Sequence, residues 1–229
     1  HIKALFNLLC VQENLDKTND AKKTVKLIMA FKPNSPEQYY SLAIAISRLN
    51  IKDNMQLAID YLRQAISENP NSIEAYRALA TLHVERNSIE KAKEIYELII
   101  KKEPNFQQVN LEYANCLVKI GKLKKALKIF NTIIENEPNN LTALNGLANS
   151  YRLSGNFQEA EKIYQDIIEK DSNNIIAYSG LSNCSKFSDK NTDIINKMES
   201  LIQKQPDVTG YFALGKIHDD LKNFEKAID

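Results

Sequence analysis

The stretch Gly210-Tyr211-Phe212-Ala213-Leu214-Gly215-Lys216 has the GxxxxGK spacing with which a glycine-rich loop cradles phosphates. Ile217 follows where that chemistry needs a Ser or Thr to ligate magnesium, and the intervening Tyr, Phe, Ala and Leu suit a helix better than a turn. No nucleotide site and no cofactor are expected there. His83 and His218 stand without an HExxH motif, a Cys–His pair or a nucleophile, so neither a catalytic triad nor a metal site is expected. His218-Asp219-Asp220 places three metal-type side chains in a row, but adjacent residues of a helix point in different directions. Cys10, Cys116 and Cys184 form an odd set without a CxxC pair, which suits neither a disulfide framework nor zinc. Reduced thiols on helices, in a cytoplasmic setting, are the expectation.

The elements that carry these residues follow from composition and period. Of 229 residues 43% are hydrophobic, with only 6 Gly and 6 Pro, a balance that favours helix over a many-stranded sheet. Thirty basic and 29 acidic residues leave a net charge of +1 without a basic block, so a nucleic-acid partner is not expected. No apolar run reaches the roughly 20 residues that span a bilayer, so no membrane insertion is expected. The chain opens on His1 and stops at Asp229 inside a helical pattern, as an excised fragment would.

An internal period organises the chain. Pro70, Pro104 and Pro138 recur every 34 residues, Ser172 takes the next slot and Pro206 the one after. Twelve residues before each stands Ala58, Ala92, Ala126, Ala160 or Ile194; the same offset joins Ala21 to Pro33, and Ala227 opens a further unit. Tyr76, Leu79, Ala80, His83, Ala92 and Tyr96 lie in register with Asn110, Tyr113, Ala114, Leu117, Ala126 and Phe130. They are in register too with Leu144, Leu147, Ala148, Tyr151, Ala160 and Tyr164. Within a unit the apolar residues fall three or four apart, on one helix face. Small Ala80 and Ala92 let paired helices approach, and Tyr96 fills the space beside them. Ser35-Pro36-Glu37-Gln38 and Asn156-Phe157-Gln158-Glu159 read as capped helix starts.

These units resemble the tetratricopeptide repeat, whose aromatic, Leu-Gly, Tyr, Ala, Phe and Pro positions share this order and spacing. The resemblance implies an all-α fold, a right-handed superhelical solenoid of antiparallel helix pairs with six repeats and a truncated seventh. The whole chain, 1–229, is one array: a degenerate repeat over 1–33, regular repeats over 34–174, a degenerate repeat over 175–208 and a truncated one over 209–229. Two departures stand out. Leu42 and Leu79 lie 37 apart while Ala58 and Ala92 lie 34 apart, so a longer turn falls within Leu49 to Gln56. Ser182, Ser185, Asp189, Ile194 and Met198 replace the usual residues of their unit, which should pack most loosely.

Asn115, Asn149 and Asn183 share one slot of the first helices, with Asn145 one turn before Asn149. In tetratricopeptide arrays the first helices line the concave surface, so the resemblance implies a ladder of amides in a groove, able to donate to and accept from a peptide backbone. Arg77, Lys119, Arg152 and Lys186 lie on the same faces or their edges and would favour acidic peptides or a C-terminal carboxylate. The expected function is a scaffold that binds a protein or an extended peptide, without catalysis. An alternative rests on Ala213 to Phe224, which resembles the last repeat of bacterial proteins where such repeats precede a sulfotransferase domain; the enzyme would then lie beyond Asp229. Self-association through end repeats is a third reading.

Overall fold

The computed structural model describes residues 2–15, 17–48, 55–188 and 191–223. Among them the chain forms helices and no strand, in the order α1 (Ile2–Asn14), α2 (Thr18–Ala30), α3 (Pro36–Arg48), α4 (Met55–Glu68), α5 (Ile73–Glu85), α6 (Ile89–Lys102), α7 (Gln107–Lys119), α8 (Leu123–Asn136), α9 (Leu141–Leu153), α10 (Phe157–Lys170), α11 (Ile175–Ser182), α12 (Thr192–Lys204) and α13 (Val208–Asp220). The longer turn expected within Leu49 to Gln56 falls mostly on residues 49–54, which lie outside the described residues, as do Asp189, Phe224, Ala227 and Asp229; Met55 and Gln56 already belong to α4. The chain divides into two compact units, 1–116 and 117–229.

The recurring prolines end the second helices. A residue before proline is driven to extended backbone, and Glu103, Glu137 and Gln205, which precede Pro104, Pro138 and Pro206, take φ near −135° with ψ between 81 and 90°. Asp171 adopts the same conformation before Ser172, so the stop persists where proline is missing. Helices α5, α9, α11 and α13 begin on side-chain caps: Ser72, Asn140, Asn174 and Asp207 each accept the backbone N–H three residues on. Ser35 accepts from the Gln38 N–H at 3.4 Å, while Gln38 Oε1 reaches back to the Asn34 N–H at 3.1 Å.

Second helices start differently. Asn156 heads α10 as expected, but its side chain caps nothing. The chain turns instead through one left-handed residue, Asn87, Gly121, Gly155 or Lys222, with φ between 57 and 83°. The next N–H then bonds back across the turn, from Ser88 to His83, Lys122 to Leu117, Asn156 to Tyr151 and Asn223 to His218, the closure that satisfies a helix's last carbonyls.

In the first unit Ala80 and Ala92 are fully buried, with Tyr96 and Ile99 packed in the same cluster. In the second, Ala160, Tyr164 and Ile167 repeat that arrangement beside Ala148 and Ala177. Gly146 faces the ring of Phe130 and Gly180 the ring of Tyr164, so closely that a Cβ at either position would overlap the ring. The degenerate unit shifts its register. In α12 the buried face is Ile195, Met198 and Ile202, and Ile194, the residue in the alanine slot, is half-buried. Helix α11 stops after 8 residues, against 13 in α9.

Candidate functional site

The glycines and lysine of the phosphate-loop spacing lie inside α13, where the Gly210 N–H is taken by the Asp207 carboxylate and the N–H groups past the first turn by helical bonds. Gly210 is buried against Ile202 and Ile175, and Lys216 donates to the Ser182 carbonyl of α11. His218 Nε2 lies 3.3 Å from Glu199 Oε1, Asp220 faces Lys216 and the Phe187 N–H, and Asp219 is exposed. These three residues diverge, and among the described residues no cluster could hold a metal ion. His83 is buried as a packing residue, and desolvation, with the nearby Lys91, Arg63 and Arg86 charges, holds its pKa below the ordinary value. The three cysteines are free; Cys10 and Cys116 are helical, whereas Cys184 lies just past the end of α11, its thiol pushed up by burial. No described helix is long and apolar enough to cross a membrane.

The candidate binding residues sit on the first helices of the pairs or just beyond them. In the first unit Arg77 lines an open recess of about 560 Å³ between α3 and α5. Its Nε is 3.3 Å from Glu112 Oε1, which also accepts from Gln108 at 2.9 Å. Asn115 of the same unit is exposed on α7. The recess is walled by Tyr40, Ile44, Ala78, Thr81 and Leu82, none of which stood out for chemistry by type. Their slots were the available signal. Ile44 and Thr81 occupy the slot of Asn115 and Asn149, once the three extra residues after α3 are allowed for, and Tyr40 and Arg77 occupy that of Asn145.

In the second unit Lys119 is exposed at the end of α7. Asn149 and Arg152 form one group on α9, the guanidinium donating to Asn149 Oδ1 at 2.8 Å. Asn145 donates to the Leu141 carbonyl at 2.9 Å, and its Oδ1 is buried with no hydrogen-bond partner. Asn183 was expected on a helix. It is the C-cap of the shortened α11, exposed, and donates to Ser179 O at 2.8 Å; Lys186 is exposed in the segment that follows. The amides of Asn145 and Asn183 therefore brace their own helices through their NH₂ groups and leave the oxygens to other partners.

Sequence comparison finds a tetratricopeptide repeat model matching residues 52–109 and 121–184, and another matching 208–229. The last match accounts for Ala213 to Phe224 as a repeat; a sulfotransferase is not among the findings. No curated protein matches the chain in sequence. Among solved structures it is similar to a tetratricopeptide repeat protein from Parabacteroides merdae ATCC 43184, with 21% identity, TM-score 0.73 and coverage of 99% of this chain and 89% of that one. It is also similar to PilW, described as a widely conserved type IV pilus biogenesis factor, at 15% identity, TM-score 0.68, and 84% and 89% coverage. A third is YrrB, described as a TPR protein with an unusual peptide-binding site, at 18% identity, TM-score 0.55, and 77% and 89% coverage. At such identities the likeness is one of fold: all-α, of the tetratricopeptide solenoid class.

Proposed function

Because this chain belongs to the tetratricopeptide repeat family, we propose that it is a scaffold that binds a segment of another protein on the faces of its first helices, without chemistry of its own. The observation that carries this reading is the open recess between α3 and α5. Its volume lies within the roughly 300–1,000 Å³ usual for ligand sites, and its walls mix apolar surface with hydroxyls and charges. In the second unit the Asn149–Arg152 group and the exposed Asn183 and Lys186 supply acceptors, donors and positive charge, which suit the backbone and acidic side chains of an extended peptide. Such contacts tolerate many sequences, as a scaffold requires.

The test is an array of random dodecapeptides probed with the full chain, followed by fluorescence polarisation on the peptides retained. Micromolar binding that the change Arg152→Ala weakens, with unchanged circular dichroism, supports the reading. An array on which no peptide is retained above an unrelated α-helical control protein refutes it.

A further inference from the structure

The lining of the α3/α5 recess names a ligand more narrowly than peptide in general. Ile44, Ala78 and Leu82 give it an apolar lining, joined by Met55, an unbranched side chain able to adapt its shape. Four charged residues also line it, Arg48 and Arg77 against Glu74 and Glu85, so their formal charges cancel. Arg77 is further committed to Glu112 at 3.3 Å. An acidic segment would gain from the arginines about what it loses to the glutamates, since all four border one small volume. A large uncharged side chain meets no such opposition and gains the full benefit of leaving water.

We infer that this recess holds one large aliphatic or aromatic side chain of a polypeptide segment with little net charge, an inference that rests on the peptide-binding reading above. It separates the two units by chemistry. The slots that hold Tyr40, Arg77, Ile44 and Thr81 in the recess hold Asn145 and Asn149 in the second unit. The α3/α5 recess reads bulk where the α9 face offers polar groups.

The experiment follows amide chemical shifts of the ¹⁵N-labelled full chain during titration with three capped hexapeptides. The first is Ac-Gly-Ser-Leu-Phe-Ser-Gly-amide; in the others Leu-Phe is replaced by Ala-Ala or by Glu-Glu. The Leu-Phe peptide is expected to shift Ile44, Ala78 and Leu82. Ala-Ala should bind about tenfold more weakly, the loss set by the buried apolar area. Affinity for Leu-Phe should change by less than about twofold between roughly 50 and 300 mM salt, because no net charge is matched. Thr81→Trp, an exposed position at the wall, fills the recess and should abolish the shifts. Should that variant disturb the fold, Met55→Ala should weaken Leu-Phe binding severalfold. Tighter binding of Glu-Glu at the recess, shifts untouched by both variants, or no shift at the recess with any of the three would overturn the inference. Peptides retained on the array that bind elsewhere would sink this inference and leave the broader reading standing; an empty array would remove that reading itself.

Discussion

Lys216 of α13 donates to the main-chain carbonyl of Ser182, the last residue of α11 and 34 positions earlier in the chain. A helix of only 8 residues leaves its last carbonyls without a following turn, and an ammonium group at that negative end satisfies one of them. Asp220 holds the ammonium at 3.6 Å and accepts the Phe187 N–H at 3.3 Å, so the segment after α11 is tied to α13 as well.

Lys216→Met keeps the stem and removes the charge. It should lower stability by about 1 kcal/mol, a modest value because the lysine side chain is 40% exposed. Amide exchange should quicken in α11 and residues 183–187 while α9 and α10 keep their protection. Unchanged exchange in α11 would show that Ser182 needs no partner from α13.

Gly146 and Phe130 set the spacing between α8 and α9, as Gly180 and Tyr164 do between α10 and α11. A methyl group at Gly146 would overlap the Phe130 ring, which is fully buried and has nowhere to move. Gly146→Ala should cost about 1–3 kcal/mol in urea denaturation, the usual range for overpacking. Adding Phe130→Leu should return part of that loss. Simple additivity of the two changes would mean that the glycine is needed for another reason.

The left-handed turns allow a substitution in each direction. Lys222 holds φ 57° without the freedom of glycine, whereas Gly121 holds φ 73° with open space around it. Lys222→Gly should raise stability by about 0.5 kcal/mol and Gly121→Ala should lower it by about 1 kcal/mol, through backbone strain alone. Thermal melting of the pair checks both signs.

What was legible in the sequence was whatever recurs at 34 residues. Proline in the extended stops, alanine at close helix contacts and the aromatic beside them each have one local cause, repeated from unit to unit, with Ser172, Ile194, Leu62 and Met198 as the departures. Gly146 and Gly180 recur at the same interval and were readable in principle; Glu112 in their slot breaks the series. The end of α11 was not legible, because Cys184 and Phe187 continue an apolar pattern and the stop is completed by Lys216, a tertiary partner. The outward turn of Ile194 has a related reason: α12 buries residues spaced three then four apart where α10 buries them four then three, so the alanine slot there faces partly outward. The recess was missed because Tyr40, Ile44 and Ala78 have the residue types of a core. Only their slots reveal that they line an open face.

Asn145 tests how function and stability compete. An Asn within a helix has lower propensity than Ala, and its buried Oδ1 has no partner. Asn145→Ala should raise stability by about 0.5–1 kcal/mol. If a peptide supplies the missing donor, affinity for peptides bound on α9 should fall in the same variant, measured by polarisation. A variant that gains stability and keeps its affinity would assign Asn145 no part in binding.

His83 makes a prediction about acid. Burial, then the charges of Lys91, Arg63 and Arg86, hold its folded pKa below the ordinary 6.5, and its Nδ1 is buried without a hydrogen-bond partner. The folded chain thus resists a proton that the unfolded chain accepts. Above about pH 6.5 both states carry a neutral imidazole and His83 adds no slope. As pH falls below that value the unfolded state binds more protons, so stability should decline toward the folded pKa and level off beneath it. His83→Leu, which places here the residue found at the equivalent Leu117, should flatten the decline between about pH 7 and pH 5.5, where most carboxylates remain ionised. Urea denaturation of both proteins across that window decides it. Equal slopes would mean that the His83 proton is taken up as readily in the folded state as in the unfolded one.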